Sequence, residues 1–255
     1  MTAASETRFR GLGRLFRLAR ADLRYGQSGS SWLFFLANPL LQILVYSQAL
    51  PFFRSQREDY VLFLCAGLLP WQSFSESVVR ASQALVRNAG LLRALPLRTD
   101  LLVAQSSLIS LLGFLVVLAL LLALAALHGA PLGAVHLWLP VLALLMHAFA
   151  CGLGLLLAPL RVLFPAIQEA QRPLFQIWMW ATPIVYAESL VAHRFPWWLR
   201  WNPPYAFVRP LRALLLEGAA PDWASLQQMI FWTASSLVAG SLAHRALRAE
   251  ARDLL

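Results

Sequence analysis

The sequence predicts an all-α membrane protein with six transmembrane helices, an N-terminal amphipathic interface helix and both termini in the cytoplasm. Three observations lead there. The 255 residues are 59% hydrophobic and 13% charged, with mean hydropathy +0.62, whereas soluble domains hold about 25% charged residues. Six apolar runs approach the ~20 residues a spanning helix needs. The arginines, finally, are unevenly shared between the connections.

The amphipathic element comes first. In the stretch 8–25, Phe9, Leu12, Phe16, Ala19 and Leu23 recur at helical spacing, and Arg10, Arg14, Arg17 and Arg24 form a second stripe. Arg8 and Arg20 fall nearer the apolar side. A basic amphipathic helix of this kind lies in the membrane interface with its arginines toward anionic headgroups. A signal-peptide reading is weaker, because the apolar run that follows is long and has no clear small-residue cleavage site.

The six runs lie near 32–53, 60–79, 101–127, 137–160, 174–191 and 227–244. The first and fifth contain Asn38-Pro39 and Thr182-Pro183, which a spanning helix tolerates where neighbours satisfy the freed carbonyl. Six spans put both ends of the chain on one side. Fifteen arginines then fall on that side, in the N-terminal segment, the second and fourth connections and the tail; six fall on the other. Positive charge is retained on the cytoplasmic side. The same effect accounts for the net charge of +9, so nucleic acid is not an expected partner. Residues 1–30 thus form the interface helix, 31–245 the transmembrane domain and 246–255 a cytoplasmic tail.

Composition excludes several chemistries. All 21 basic residues are arginine. Without lysine the chain has no Walker A loop, whose lysine reaches the nucleotide phosphates; kinase and Schiff-base chemistry fall with it. His128, His136, His147, His193 and His244 are scattered, none at helical metal-ligand spacing. His147 lies deep in a span, where a satisfied bundle histidine is a better reading than a proton relay. Cys65 and Cys151 sit within apolar runs and read as small buried hydrophobes. Glu76, Glu169 and Glu188 lie near run ends and read as interface anchors, Glu76 being the one placed to meet a partner or substrate. Ser106, Ser110 and Gly113, and Ala148 with Gly152, mark faces where helices approach closely.

Two connections carry more information. The stretch 80–100 offers Asn88 as a helix N-cap and Pro96 as a stop. The short helix between them presents Leu91, Leu92 and Leu95 beside Arg87 and Arg93. It reads equally as a helix docking into a soluble partner and as a charged connector. The stretch 192–226 holds aromatics and five prolines and reads as short interfacial or re-entrant helices. Aromatics also cluster at Trp71 and Phe74, and at Phe175, Trp178, Trp180 and Tyr186. They serve interface and packing roles, or line a path for sugars.

These residues resemble the membrane subunits of type-2 ABC exporters, in the branch that exports O-antigen, capsule or teichoic-acid polymers. The resemblance rests on GLLPWQSFSES (67–77), NAGLLRALPL (88–97), TPIVYAESL (182–190), WNPPYAFVRPLRALLLEG (201–218) and the tail HRALRAEARDLL (244–255). Asn202, Pro203 and Arg212 are the matching positions of the fourth motif. One departure is Phe164-Pro165-Ala166, where the family often carries an aromatic followed by Arg-Asp; Arg161 and Glu169 are the nearby substitutes.

The resemblance implies a bacterial inner-membrane homodimer that exports a lipid-linked glycan. Two copies of a separate ATPase would hold ATP and Mg²⁺, with no cofactor in this chain. It implies that Arg87, Asn88, Leu91, Leu92, Arg93 and Leu95 couple to the ATPase and that 192–226 forms an external gate. Trp71, Phe74, Trp178 and Tyr186 would line the substrate path, with Arg209 and Arg212 at the exit. The alternatives are a type-2 exporter of drugs or lipids, and an ATP-independent carrier or intramembrane enzyme.

Overall fold

The computed structural model describes residues 60–255 apart from 96, 128, 130 and 131, together with residues 41 and 45. The first apolar run, but for Leu41 and Val45, lies outside the described residues. So do the amphipathic segment with Arg10, Arg14, Arg17 and Arg24, and the helix stop expected at Pro96.

Among the described residues the chain is helical, with no strand. Helix α1 spans Tyr60–Ser82, α2 Ala84–Arg87, α3 Ala89–Ala94 and α4 Thr99–Leu127. A 3₁₀ turn, Ala134–Leu137, leads into α5, Trp138–Leu163. Then come α6 (Ala166–Ala181), α7 (Ser189–Ala192), α8 (Pro196–Trp201), α9 (Pro203–Glu217) and α10 (Trp223–Asp253). Two helical stretches are long and apolar enough to cross a membrane by length and composition, Thr99–Leu127 and Ala134–Leu163. Helix α1 is 23 residues long, but its second half carries Gln72, Ser73, Ser75, Glu76 and Ser77, which lowers its hydropathy.

The second, third and sixth apolar runs each fall within one helix, and the fourth starts at the last residue of the 3₁₀ turn and continues through α5. The fifth fits no single helix. A continuous span over 174–191 is broken, because α6 starts earlier and ends at Ala181. Thr182 takes φ −106°, ψ 137°, the extended conformation that a following proline imposes, and Pro183 has no N–H to continue the helix. The stretch 246–255 is helical as far as Asp253, as the continuation of α10.

Helices α1, α4, α5, α9 and α10 pack around one core whose fully buried members include Leu64, Leu68, Phe114, Leu142, Phe207 and Leu211. The tightest seam joins α5 to α10. A Cβ on Gly240 would collide with the carbonyl oxygen of Gly152, and one on Gly152 would lie 2.5 Å from Ser236 Oγ. Across this seam Thr233 donates to the Leu145 carbonyl at 3.1 Å, and Ser236 Oγ lies 3.2 Å from the Phe149 carbonyl. Glycine permits this backbone approach, and the hydroxyls satisfy their own polarity inside it. Ser106 and Ser110 instead bond back to their own helix, at Leu102 and Ser106.

His147 is buried and serves the bundle. Its Nδ1 faces the Ala143 carbonyl at 2.9 Å and must donate there, so Nε2 accepts from Ser73 at 3.2 Å. His244 repeats the pattern, with Nδ1 toward the Leu155 carbonyl at 3.3 Å and Nε2 toward Thr99 Oγ1 at 2.8 Å.

A second, smaller core gathers Ala81, Ala84, Leu85, Leu92, Leu102, Val103, Leu155 and Ala158 beneath α2 and α3. Asn88 does not cap α3. Its side chain makes no cap hydrogen bond there, and its Nδ2 donates back to the Ala84 carbonyl at 2.8 Å. With φ −108°, ψ 18°, Asn88 is the joint that closes α2 before α3 begins. Helix α3 ends at Ala94, and Leu95 turns extended at φ −134°, ψ 142°, as a residue before proline does.

Candidate functional site: a broken helix bound by side chains

The non-helical backbone after Ala181 leaves carbonyls without helical partners. In a membrane interior such groups must be met by protein. They are met one by one. Thr182 Oγ1 donates to the Trp178 carbonyl at 2.8 Å. Trp198 Nε1 donates to the Ala181 carbonyl at 2.7 Å. Arg212 donates twice, from Nη1 to Pro183 at 3.1 Å and from Nη2 to Ile184 at 2.6 Å. Tyr60 donates to Val185 at 3.0 Å, and Tyr186 to Trp180 at 2.9 Å.

Asn202 completes the knot. It is 1% exposed. Its Nδ2 donates to Thr182 Oγ1 at 2.9 Å, and its Oδ1 accepts from Trp178 Nε1 at 3.2 Å. The residue thus ties the end of α6 to the start of α9, where Pro203 and Pro204 occupy first-turn positions that need no N–H partner. Helix α9 ends at Glu217 and is capped by Gly218, whose left-handed φ of 62° suits glycine.

Three of the five motifs therefore converge on one place. TPIVY supplies the break, the Asn-Pro segment supplies Asn202 and Arg212, and the first motif supplies Gly67. A Cβ on Gly67 would collide with Arg212 Nη2 and reach within 3.1 Å of the Ile184 carbonyl. Phe63 gives the guanidinium an aromatic face, with Cζ 3.9 Å from the ring centroid. Arg212, expected at an exit gate, is part of this knot.

Arg209 lies elsewhere on α9. Its Nε is 3.7 Å from Glu188, which also accepts a short hydrogen bond from the Tyr205 hydroxyl. Burial first, and then that bond, push the Tyr205 hydroxyl above its ordinary value, so it stays protonated and donates. Glu188, Tyr205, Arg209, Arg212 and Glu217 line a cleft of about 390 Å³.

Trp71, Phe74 and Trp178 do meet. Trp71 lies 5.6 Å from Phe74 and 6.0 Å from Trp178 between ring centroids, and Phe74 stacks on Phe149 at 5.4 Å. Trp71 and Phe74 are each 3% exposed, so they are core, and Trp178 is half-buried at the edge. Tyr186 packs against the same core, with its hydroxyl donating to the Trp180 carbonyl. Glu76 is 3.9 Å from Arg80, one turn along α1.

At the opposite end, Arg161 is 5% exposed. Its Nη1 donates to Gln171 at 3.0 Å and to Ser82 at 3.2 Å. Gln171, not Glu169, is its partner; Glu169 is exposed.

On α2 and α3 the expected coupling residues divide. Arg87, Leu91, Arg93 and Leu95 are exposed, whereas Leu92 is 3% exposed and anchors the helix in the second core. The exposed group is an apolar pair flanked by cations. Sequence spacing had grouped Leu92 with Leu91 and Leu95; only the break at Asn88 sets which leucine turns inward. Sequence reading also passed over Tyr60, Trp198 and Gln171. Nothing in their local pattern marks them, because their partners lie 125, 17 and 89 positions away.

No family model matches the chain. It is 26% identical over 215 residues to an O-antigen export system permease protein RfbA of Klebsiella pneumoniae, covering 81% of this chain and 83% of the relative. It is 29% identical over 237 residues to a protein of the same name from Myxococcus xanthus, covering 88% and 91%. These matches bear out the resemblance to the permease subunits of type-2 ABC exporters that the motifs carry.

Proposed function

We propose that this chain is the membrane subunit of an ABC exporter that moves a lipid-linked polysaccharide, such as an O-antigen, across the bacterial inner membrane. The observation that carries the reading is the match, over 81–88% of the chain, to relatives named as O-antigen export permeases. The convergence of three motifs on one broken helix supports it, because those motifs are then a single structural device. The chain is a transport subunit and not a catalytic one. Lacking any lysine, it depends on a separate ATPase to hold ATP and Mg²⁺.

In this reading the chain crosses the membrane six times with both termini in the cytoplasm. The arginine asymmetry supports that orientation. The N-terminal amphipathic helix lies at the interface. Two copies of the chain work with two ATPase subunits. The exposed apolar stripe of α6, with Leu174 at 62% and Ile177 at 66% exposure, supports a second copy or lipid against that face. Arg87, Leu91, Arg93 and Leu95 meet the ATPase. The glycan passes between the copies, beside Trp178 and Tyr186, with Trp71 and Phe74 stiffening the wall from behind. The cleft around Glu188 and Arg209 lies at the external end.

The test is a strain lacking this subunit. Lipid-linked glycan should accumulate on the cytoplasmic leaflet, surface polymer should vanish, and the intact gene should restore it. Unchanged surface glycan would overturn the reading.

A further inference from the structure

The last turns of α10 return to α3. Arg252 Nη2 lies 3.3 Å from the Leu92 carbonyl and 3.2 Å from the Leu95 carbonyl, 160 and 157 positions earlier. One NH₂ group carries two protons, so it serves one carbonyl with each. Carbonyls at a helix C-terminus lack intrahelical donors and carry partial negative charge, and an arginine there answers both deficits. The contact is held from behind. Ala251 is fully buried, and Leu255 packs on the second core that contains Leu85 and Leu92. Two turns further back His244 ties α10 to Thr99, where α4 begins after the α3 connection. Leu92 thus contributes its side chain to the core and its carbonyl to Arg252, while Leu91 and Leu95 stay exposed.

We propose that the end of α10 is a strut that fixes the exposed face of α3, with Arg252 as the positioning residue through which the coupling helix and the final span move as one body. The inference rests on the proposed function for the meaning of coupling, though not for the contact itself. Helix α3 has six residues, too few to hold a conformation alone. Its orientation therefore comes from its anchors: Leu92 below, Asn88 at its start and Arg252 at its end. A push on Leu91 or Leu95 reaches α10 directly, without passing through α4.

The experiment uses the full chain with its co-purified ATPase in nanodiscs, as wild type, Arg252→Ala and Arg252→Lys. Amide hydrogen exchange is read over 84–95 and, as control, over α1 and α5. Arg252→Ala should raise exchange in α3 about tenfold, as loss of a charged hydrogen bond does, with the controls unchanged. Arg252→Lys should recover part of this. In proteoliposomes Arg252→Ala should keep ATP hydrolysis and complex formation but raise ATP consumed per glycan exported several-fold. Unchanged α3 exchange would overturn the strut. Faster exchange with unchanged ATP consumption per glycan would overturn the positioning role. If wild type itself exports no glycan, the proposed function fails, and the exchange result still decides the strut.

Discussion

Arg212 and Ile184 tie α9 to the broken segment: the guanidinium donates to the carbonyl that the lost helical turn leaves open, at 2.6 Å. The same side chain takes the neighbouring Pro183 carbonyl at 3.1 Å. One residue thus meets two of the carbonyls that the break at Pro183 leaves open.

Arg212→Ala should therefore cost about 2–4 kcal/mol of stability, since two buried carbonyls lose a charged donor. Arg212→Lys should recover only part, because a single ammonium does not present the planar fork. Thermal unfolding in detergent, followed by tryptophan fluorescence, reads both. Equal stability of the three proteins would show that the break is satisfied some other way.

Gly67 tests the same contact from the opposite side. Gly67→Ala puts a methyl where Arg212 Nη2 sits, and the guanidinium is tethered and cannot swing clear. A loss of about 1–3 kcal/mol is expected. In the Arg212→Ala background the second substitution should cost much less. Additive losses would mean that the two residues act independently.

Trp178 and Asn202 should be energetically coupled. A double-mutant cycle with Trp178→Phe and Asn202→Leu is expected to give about 0.5–1.5 kcal/mol of interaction energy, the net worth of one buried hydrogen bond. A coupling near zero would remove the 3.2 Å contact from the account.

The two leucines of α3 should behave differently. Leu92→Ala empties part of the second core and should lower stability by about 2–4 kcal/mol. Leu91→Ala, or charge reversal at Arg87 and Arg93, should leave stability near wild type and weaken ATPase binding or coupling. Subunit pull-down with ATPase assay separates the cases. If Leu91→Ala unfolds the protein and Leu92→Ala does not, the orientation of α3 is wrong.

Much of this was legible in the sequence, and the reason is physical. Membrane helices announce themselves by sustained apolar runs, so the limits of α4 and α5 follow from composition. Gly152 announced close packing, and the structure places Gly240 against it. The fifth run misled because apolar content continues through Ile184 and Val185 while the helix does not. Hydropathy does not register the extended backbone that Pro183 forces on Thr182. The roles of Arg209 and Arg212 were illegible for another reason. Both are arginines on one helix, three positions apart. Only the path of the chain back to 183–188 sets one beside Glu188 and the other over two carbonyls. Asn88 has the local pattern of a cap that starts α3, whereas its side chain reaches back to Ala84; both uses suit asparagine, and local sequence does not separate them.

The most direct test of the central claim is transport by the purified complex. Proteoliposomes holding this chain and its co-purified ATPase would be loaded with labelled lipid-linked O-antigen, and glycan exposed on the opposite leaflet would be followed after adding ATP. The account predicts translocation that needs ATP, the ATPase and this chain together, and that falls when Arg87 and Arg93 are reversed to glutamate. Translocation by this chain without the ATPase, or none with the full complex and ATP, would contradict it.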